Sequence, residues 1–418
     1  MRLQTHEVEK RGNYFSYQTA RIDANQPYLV RPNFVFTSVV LQIDQAYSYN
    51  GAYIISENDT LQLLADEHQP QELEKNQSRG EPSNLVVFAH TVKEFLFYPG
   101  EIRGDIVFNF LNAGKLTIKN KNLRTAQEAH DACAEPASVS QQEWRAGLPV
   151  PNYSRDFHEV DHIIVHHAAT SNNLTNYTEI VRNIYLWHTE TNGWSDIGYN
   201  YLIAQDGTIY QGRDPGEGEQ DNVKGAHFCG ENTGTMGICL LGTYTDIAPT
   251  DTTVASLLKL MAWKVNKDPL DPLAFEAHPA NSHLGVIAGH RDGCATLCPG
   301  DKVYEKMQTF REFTDLFVHA ACQDPVLAMD DALEAKQLKV YPIPASDEVH
   351  LSLDHLRGGP SKCIQKVMLF DIQGREVSIS PVWEGSELSF PTTHLPSGVY
   401  VLKVVLKDEI LERKIIAQ

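Results

Sequence analysis

The stretch "DHIIVHHAAT" (residues 161–170) decides how the middle of the chain is read. His162 and His166 stand four apart, the spacing that sets two imidazoles on one face of a helix to hold zinc. The residues between them, Ile163, Ile164 and Val165, oppose a helix, because β-branched side chains fit a pleated strand better. As a strand the segment puts His162, Ile164 and His166 on one face and turns His167 to the other. His158 adds a fourth histidine nearby, and a single histidine in such a run is more often packed or exposed than a ligand.

Downstream, "GHRDGCATLCPG" (289–300) shifts that balance. Preceded by "LGVIA", it places His290 at the end of a buried strand, where the active sites of α/β proteins gather. Cys298 is followed by Pro299, Gly300, Asp301 and then a helical pattern, so a return loop can carry its sulfur back toward His290. One histidine from each of two strands and a cysteine from a loop make three ligands. A fourth position is left for water, which is the catalytic rather than the structural zinc arrangement. A disulfide or two inert thiols is the plainer alternative, and the Cys294–Cys298 spacing does not choose.

Around these stretches, strands alternate with helices. "NYTEIVRNIYLWH" predicts a helix with Ile180, Ile184 and Trp187 on one face, and Asn176 with Glu179 offers a capping box. "GYNYLIAQDGTIYQG" reads as a hairpin turning at Asp206-Gly207. Helices are predicted over "TDTTVASLLKLMAWKVNK", with Val254, Leu257, Leu258, Met261 and Val265 inward, and over "DKVYEKMQTFREFTDLFV", with Val303, Met307, Phe310 and Phe317 inward. The expected fold is α/β, a mixed sheet flanked by helices, over residues 153–324.

The flanks read differently. "NFVFTSVVLQI", "SNLVVFAHTV", "EFLFYPG" and "GDIVFNFLNAG" are strand-like runs bounded by turn residues, and predict a β-rich accessory domain over 1–120, a sandwich or jelly roll. Residues 121–152 show no period and read as a linker, as do 325–337. Residues 338–418 are β again, a small sandwich of about seven strands with turns at Gln373-Gly374 and Lys407-Asp408.

A chain of 418 residues calls for more than one core. Its net charge of −19, from 35 basic and 54 acidic residues, makes nucleic acid and anionic membranes poor partners. No apolar run is long enough for a transmembrane helix. The opening "MRLQTHEVEK" has no apolar core of a signal peptide, so the expectation is a cytosolic protein or a targeting segment removed. Seven cysteines are too few for a disulfide scaffold and leave at least one thiol without an internal bridge.

The segments "IIVHHAAT", "LWHTETNGWSDIGYNYLIAQDGTIYQGR", "GAHFCGENTGTMGICLLGTY" and "GHRDGCATLCPG" occur in this order between residues 161 and 300. As a set they resemble the zinc-dependent N-acetylmuramoyl-L-alanine amidases of type 2, the fold shared with peptidoglycan recognition proteins. The resemblance implies Zn²⁺ ligands at His166, His290 and Cys298. It implies a catalytic tyrosine at Tyr199, aligning a zinc-activated water, and Thr296 beside the oxyanion formed on the lactyl carbonyl of muramic acid. Trp187, His188 and His227 match groove positions for the glycopeptide, although an aromatic core and hydrogen-bonded histidines would look the same. Arg291 and Asp292 are expected to brace their loop. Non-catalytic recognition proteins have typically lost the cysteine ligand, which this chain keeps, so an enzyme is expected over a muropeptide binder or a disulfide-stapled adhesin. Tyr199 is followed by Asn200 where many phage enzymes carry histidine.

The pieces "VYPIPASDEVHL", "LFDIQGREV", "LPSGVYVLKV" and "KIIAQ" resemble the C-terminal sorting domain of type IX secretion substrates of Bacteroidetes. That implies the secretion machinery as a partner, a truncated signal peptide, and a protein released outside the cell or held at the outer-membrane surface; a monomer is expected. An oxidising exterior would permit disulfides among Cys133, Cys229, Cys239, Cys294, Cys322 and Cys363. Cys133 with Cys322, and Cys229 with Cys294, are the pairings entertained.

Overall fold

The computed structural model describes residues 1–57, 59–66, 80–118, 134–321, 339–341, 345, 347–352, 364–371, 375–384, 387–396, 398–406 and 410–417. Contacts divide the chain into two units, one of residues 1–128, 136–257 and 270–307, the other of 129–135, 258–269 and 308–418.

The first unit begins with two sheets. One has five strands, in the order Arg2–Leu3, Tyr28–Val30, Phe95–Tyr98, Tyr53–Ser56, Asp59–Gln62. The other is built on Phe15–Ile22, Gly104–Leu111 and Phe36–Ile43. The alternating aromatic residues of those runs meet in one core, where Phe36, Phe95, Phe97, Phe108 and Phe110 are buried. The aromatic-rich runs read from the sequence are these strands.

A six-stranded mixed sheet follows in the same unit. We label its strands and the neighbouring elements β1 (Ser138–Val139), α1 (Gln141–Trp144), β2 (His162–His167), α2 (Tyr177–Leu186), β3 (Tyr201–Ile203), β4 (Ile209–Gln211), β5 (Thr235–Leu240), α3 (Asp251–Lys267), β6 (Phe275–His278), β7 (Asn281–Gly285), β8 (Ile287–Gly289), α4 (Asp301–Tyr304) and α5 (Met307–Ala321). The order is β1-β4-β3-β5-β2-β8, antiparallel only between β3 and β4. "DHIIVHHAAT" is thus a strand, paired with β5 on one side and β8 on the other, and every residue of β2 is buried.

Three details differ from the sequence reading. Residues 138–144, read as linker, supply an edge strand and a one-turn helix whose Trp144 is fully buried. Such short elements show no period, and β1 exists through its pairing with β4. At Asn176 the amide donates to the Glu179 carboxylate at 2.9 Å, and no side-chain bond caps the helix amides. The single helix expected from Asp301 is two, because Lys306 N–H bonds the Val303 carbonyl three residues back and tightens the chain between α4 and α5.

Residues before and after 134 share a core in this unit. Phe15, Val40, Val87 and Leu111 pack with Trp144, Ile184, Tyr185 and Leu186. Thr37 and Ser38 donate their hydroxyls to Asn183 Oδ1 at 2.7 and 2.8 Å. Arg182 donates to the carbonyls of Ala113, Trp144 and Ala146, and burial pushes its guanidinium down to about 10. Arg11 pairs with the nearly buried Glu190 at 2.7 Å.

In the second unit, two four-stranded sheets share a core that includes Val349, Leu351, Leu369, Phe390, Leu402 and Ile415. The turn residues Gln373, Gly374, Lys407 and Asp408 lie outside the described residues, and the strands flanking each turn pair antiparallel. No helix among the described residues is long and apolar enough to cross a membrane.

Candidate metal centre

Parallel pairing brings the C-terminal ends of β2, β5 and β8 to one edge, and the chemistry-bearing residues collect there. His166 is the fifth residue of β2. His290 begins a turn of 3-10 helix directly after β8. The loop 293–300 returns Cys298 to both. His166, His290 and Cys298 are 0%, 4% and 0% exposed, and one ligand atom from each lies within 4.8 Å of the others. Zinc bonds of about 2.1 Å to nitrogen and about 2.3 Å to sulfur at the tetrahedral angle would separate those donors by roughly 3.6 Å. Nδ1 of His166 stands 3.7 Å from Sγ of Cys298. The donor set and its spacing therefore fit the ion.

Cys298 also accepts the backbone N–H of His167 at 3.3 Å, a contact that favours the thiolate. Its loop is braced by Arg291, which donates to the carbonyls of Leu297 and Cys298 and pairs with Asp301 at 2.7 Å. Asp292 accepts from Gly289 N–H and from the Tyr304 hydroxyl. Thr296 accepts the Cys298 N–H at 3.1 Å and is half-buried.

A second sulfur set stands on the other side of His290. Cys229, His290 and Cys294 also have ligand atoms within 4.8 Å. Cys229 and Cys294 are joined as a disulfide, so neither sulfur is open to an ion and the first set is the candidate for one. Cys239 and Cys298 are in no disulfide among the described residues, and Cys133, Cys322 and Cys363 lie outside them.

His227 sits behind His166. Its Nδ1 is 3.1 Å from Nε2 of His166, its Nε2 is 3.4 Å from Thr235 Oγ1, and that hydroxyl donates to the Asn232 carbonyl at 2.9 Å. Burial pushes His227 down to about 3, so the ring is neutral. The chain runs consistently if His166 Nε2–H donates to His227 Nδ1 and His227 Nε2–H donates to Thr235. His166 then presents Nδ1 as the lone pair for a metal. Two glycines make the slot: a Cβ on Gly225 or Gly237 would stand 2.5 or 2.6 Å from the His227 ring.

Residues 156–301 match the family model described as N-acetylmuramoyl-L-alanine amidase, and 339–418 match the secretion system C-terminal sorting domain. Peptidoglycan recognition protein 1 of Mus musculus is 32% identical over 42% of this chain and 89% of its own length. The chain belongs to the amidase and peptidoglycan recognition protein family. N-acetylmuramoyl-L-alanine amidase of Homo sapiens is 29% identical over 36% of this chain, which spans 24% of that protein. The solved structure of wild-type Drosophila PGRP-LB is 28% identical, covering 41% of this chain and 91% of that one, with a TM-score of 0.33.

In this family member Tyr199 is 3% exposed, with its ring 5.2 Å from that of His166 between centroids. Burial raises its hydroxyl well above the ordinary value, and the hydroxyl is hydrogen-bonded to the Cys239 thiol. Trp187 and His188 begin a π-turn, Trp187–Thr191, that extends α2, and they are 2% and 1% exposed. His188 Nδ1 accepts Gly198 N–H at 3.0 Å, which ties the π-turn to the loop bearing Tyr199. Asn200 holds the same loop from beneath, accepting Gly237 N–H and donating to the carbonyls of Gln220 and Val223.

The sequence reading did not single out Asp196. It is fully buried and accepts from the N–H groups of Ile197 and Asp214, from Gln141 and from the Tyr153 hydroxyl. Burial raises its carboxyl, against the lowering effect of those N–H groups and of Arg213. The carboxylate organises the turn that presents Tyr199. The signal was its place inside "GWSDIGY", three residues before the tyrosine.

Proposed function

We propose that the chain hydrolyses the amide between N-acetylmuramic acid and the L-alanine of the stem peptide, with Zn²⁺ held by His166, His290 and Cys298. The observation that carries this reading is the buried donor set of two imidazoles and one thiol, spaced for a tetrahedral ion. Bound zinc would supply a Lewis acid and a water acidic enough to lose its proton near neutrality. The remaining work falls to the chain. His227 holds His166 in one tautomer, with its Nδ1 lone pair toward Cys298. Tyr199, packed on His166, aligns the attacking oxygen, and His188 and Trp187 hold the loop that presents it while bordering the glycopeptide groove. Thr296 spends a lone pair on Cys298 N–H and keeps its own O–H for the oxygen of the scissile carbonyl.

The substrate would be peptidoglycan or soluble muropeptides. The C-terminal domain would direct export through type IX machinery to the exterior or cell surface of a Bacteroidetes-like bacterium. The two N-terminal sheets would be an accessory β-sandwich, and the C-terminal ones a small sorting sandwich. Mass spectrometry of a defined muropeptide, with zinc analysis of the protein, tests the reading. A free stem peptide beginning with alanine and one zinc per chain are expected. Zinc without cleavage favours a muropeptide-binding protein, and absence of zinc overturns the ligand set. Cys298→Ser is expected to lose zinc and cleavage, and Cys294→Ser to keep both.

A further inference from the structure

His290 is common to two ligand sets, and the difference between them is one covalent bond. On one side are His166 and Cys298; on the other are Cys229 and Cys294, each set with its ligand atoms within 4.8 Å. Cys294 is placed by local structure: its N–H bonds the His290 carbonyl one turn back. Cys229 comes from the bend after Phe228, where it adopts φ of 49°, unusual for a residue with a side chain. The Cα atoms of the two cysteines are 6.0 Å apart.

We propose that the Cys229–Cys294 disulfide is a metal-loading gate: when it is reduced, Cys229, Cys294 and His290 form a second metal site that takes His290 away from the first. Two thiols supply two electrons and two protons and become a disulfide, or a phosphine supplies the two electrons while water supplies both protons and the oxygen of the resulting phosphine oxide; either way the bond becomes two thiols. Metal binding then displaces the thiol protons, since thiolates are the ligands. Two thiolates and an imidazole are a softer set than two imidazoles and a thiolate, so a zinc-like ion favours the second site. Oxidation ties the two sulfurs to each other and leaves His290 to His166 and Cys298. The gate rests on the metal site proposed above, and it confines assembly of that site to an oxidising compartment.

Cobalt(II) binding to the full chain tests this, because thiolate-to-cobalt charge-transfer absorption reports sulfur ligands directly. Oxidised Cys298→Ser is expected to show no such band. The same variant, reduced anaerobically with a phosphine and freed of it, is expected to bind one cobalt with a strong band. Adding Cys229→Ser or His290→Ala should remove that band. A reduced Cys298→Ser chain with no more absorption than its Cys229→Ser double, or a band indifferent to His290→Ala, overturns the gate. Should Cys298→Ser not fold by circular dichroism, the unsubstituted chain serves: reduction should about double its band as sulfur ligands go from one to two. Cys229→Ser should show no rise, and an equal rise in both chains overturns the proposal. Failure of the first site is a separate result, an oxidised unsubstituted chain with no band at all.

Discussion

His162 and His166 leave the same face of the same strand, both buried, yet the structure gives them unrelated surroundings. His166 stands near the C-terminal end of β2, where the returning loop and the turn after β8 converge on it. His162 begins the strand, on the order of 13 Å away at strand rise. There its Nδ1 donates to the Gly285 carbonyl at 3.0 Å and its ring meets His278 edge-on at 5.3 Å. The four-residue spacing that makes a zinc pair on a helix separates the two histidines on a strand. What distinguishes the candidate ligand His166 from the packed His162 is the end of the strand it occupies, because that end meets the segments carrying His290 and Cys298.

The comparison breaks most decisively under paired substitution. His166→Ala is expected to abolish stoichiometric zinc binding, while His162→Ala, a change at the other end of β2, retains one zinc per chain. Metal analysis after dialysis measures both, and equal loss would sink the distinction.

A subtler test acts on the neighbour of His166. Gly237→Ala puts a methyl where the His227 ring lies, so the ring must move and His166 loses its orienting partner. Zinc affinity is expected to fall by about 10–100-fold, with the fold retained by circular dichroism. An unchanged affinity in competition with a chelator would show that His227 does not set the ligand.

The smallest effect concerns His162 itself. Burial lowers its affinity for a proton below the ordinary value of 6.5, with the Gly285 carbonyl opposing that shift. The unfolded chain therefore binds more protons than the native one between the lowered value and 6.5. Stability from this group is fully present above 6.5 and is lost as pH falls into that window, by up to about 1.4 kcal/mol per pH unit. His162→Gln, which can still donate to Gly285, should flatten the urea-midpoint profile below pH 6.5. A profile parallel to that of the unsubstituted chain would show that His162 does not carry it.

Local chemistry was legible in the residues. The hairpin between β3 and β4 turns at Asp206-Gly207, where Gly207 has φ of 82°. α3 follows its apolar period, and Val254, Leu257, Leu258, Met261 and Val265 are all buried. Less legible were features made by partners distant in the chain. His227 matched a groove position and a hydrogen-bonded histidine alike in the sequence; its ring lies against His166, in a slot that depends on Gly237 in another strand. The Cys229–Cys294 bond was one pairing among several until the two loops met beside His290.

By itself the sequence determined most of the longer strands and helices, and which residue types carry the chemistry, because propensity, period and turn residues act over a few positions. Only the tertiary structure decided which of several histidines and cysteines meet. Parallel pairing of β2 with β8 puts His166 beside His290, and the return of one loop brings Cys298 to them while Cys294, equally near His290, is bonded to Cys229.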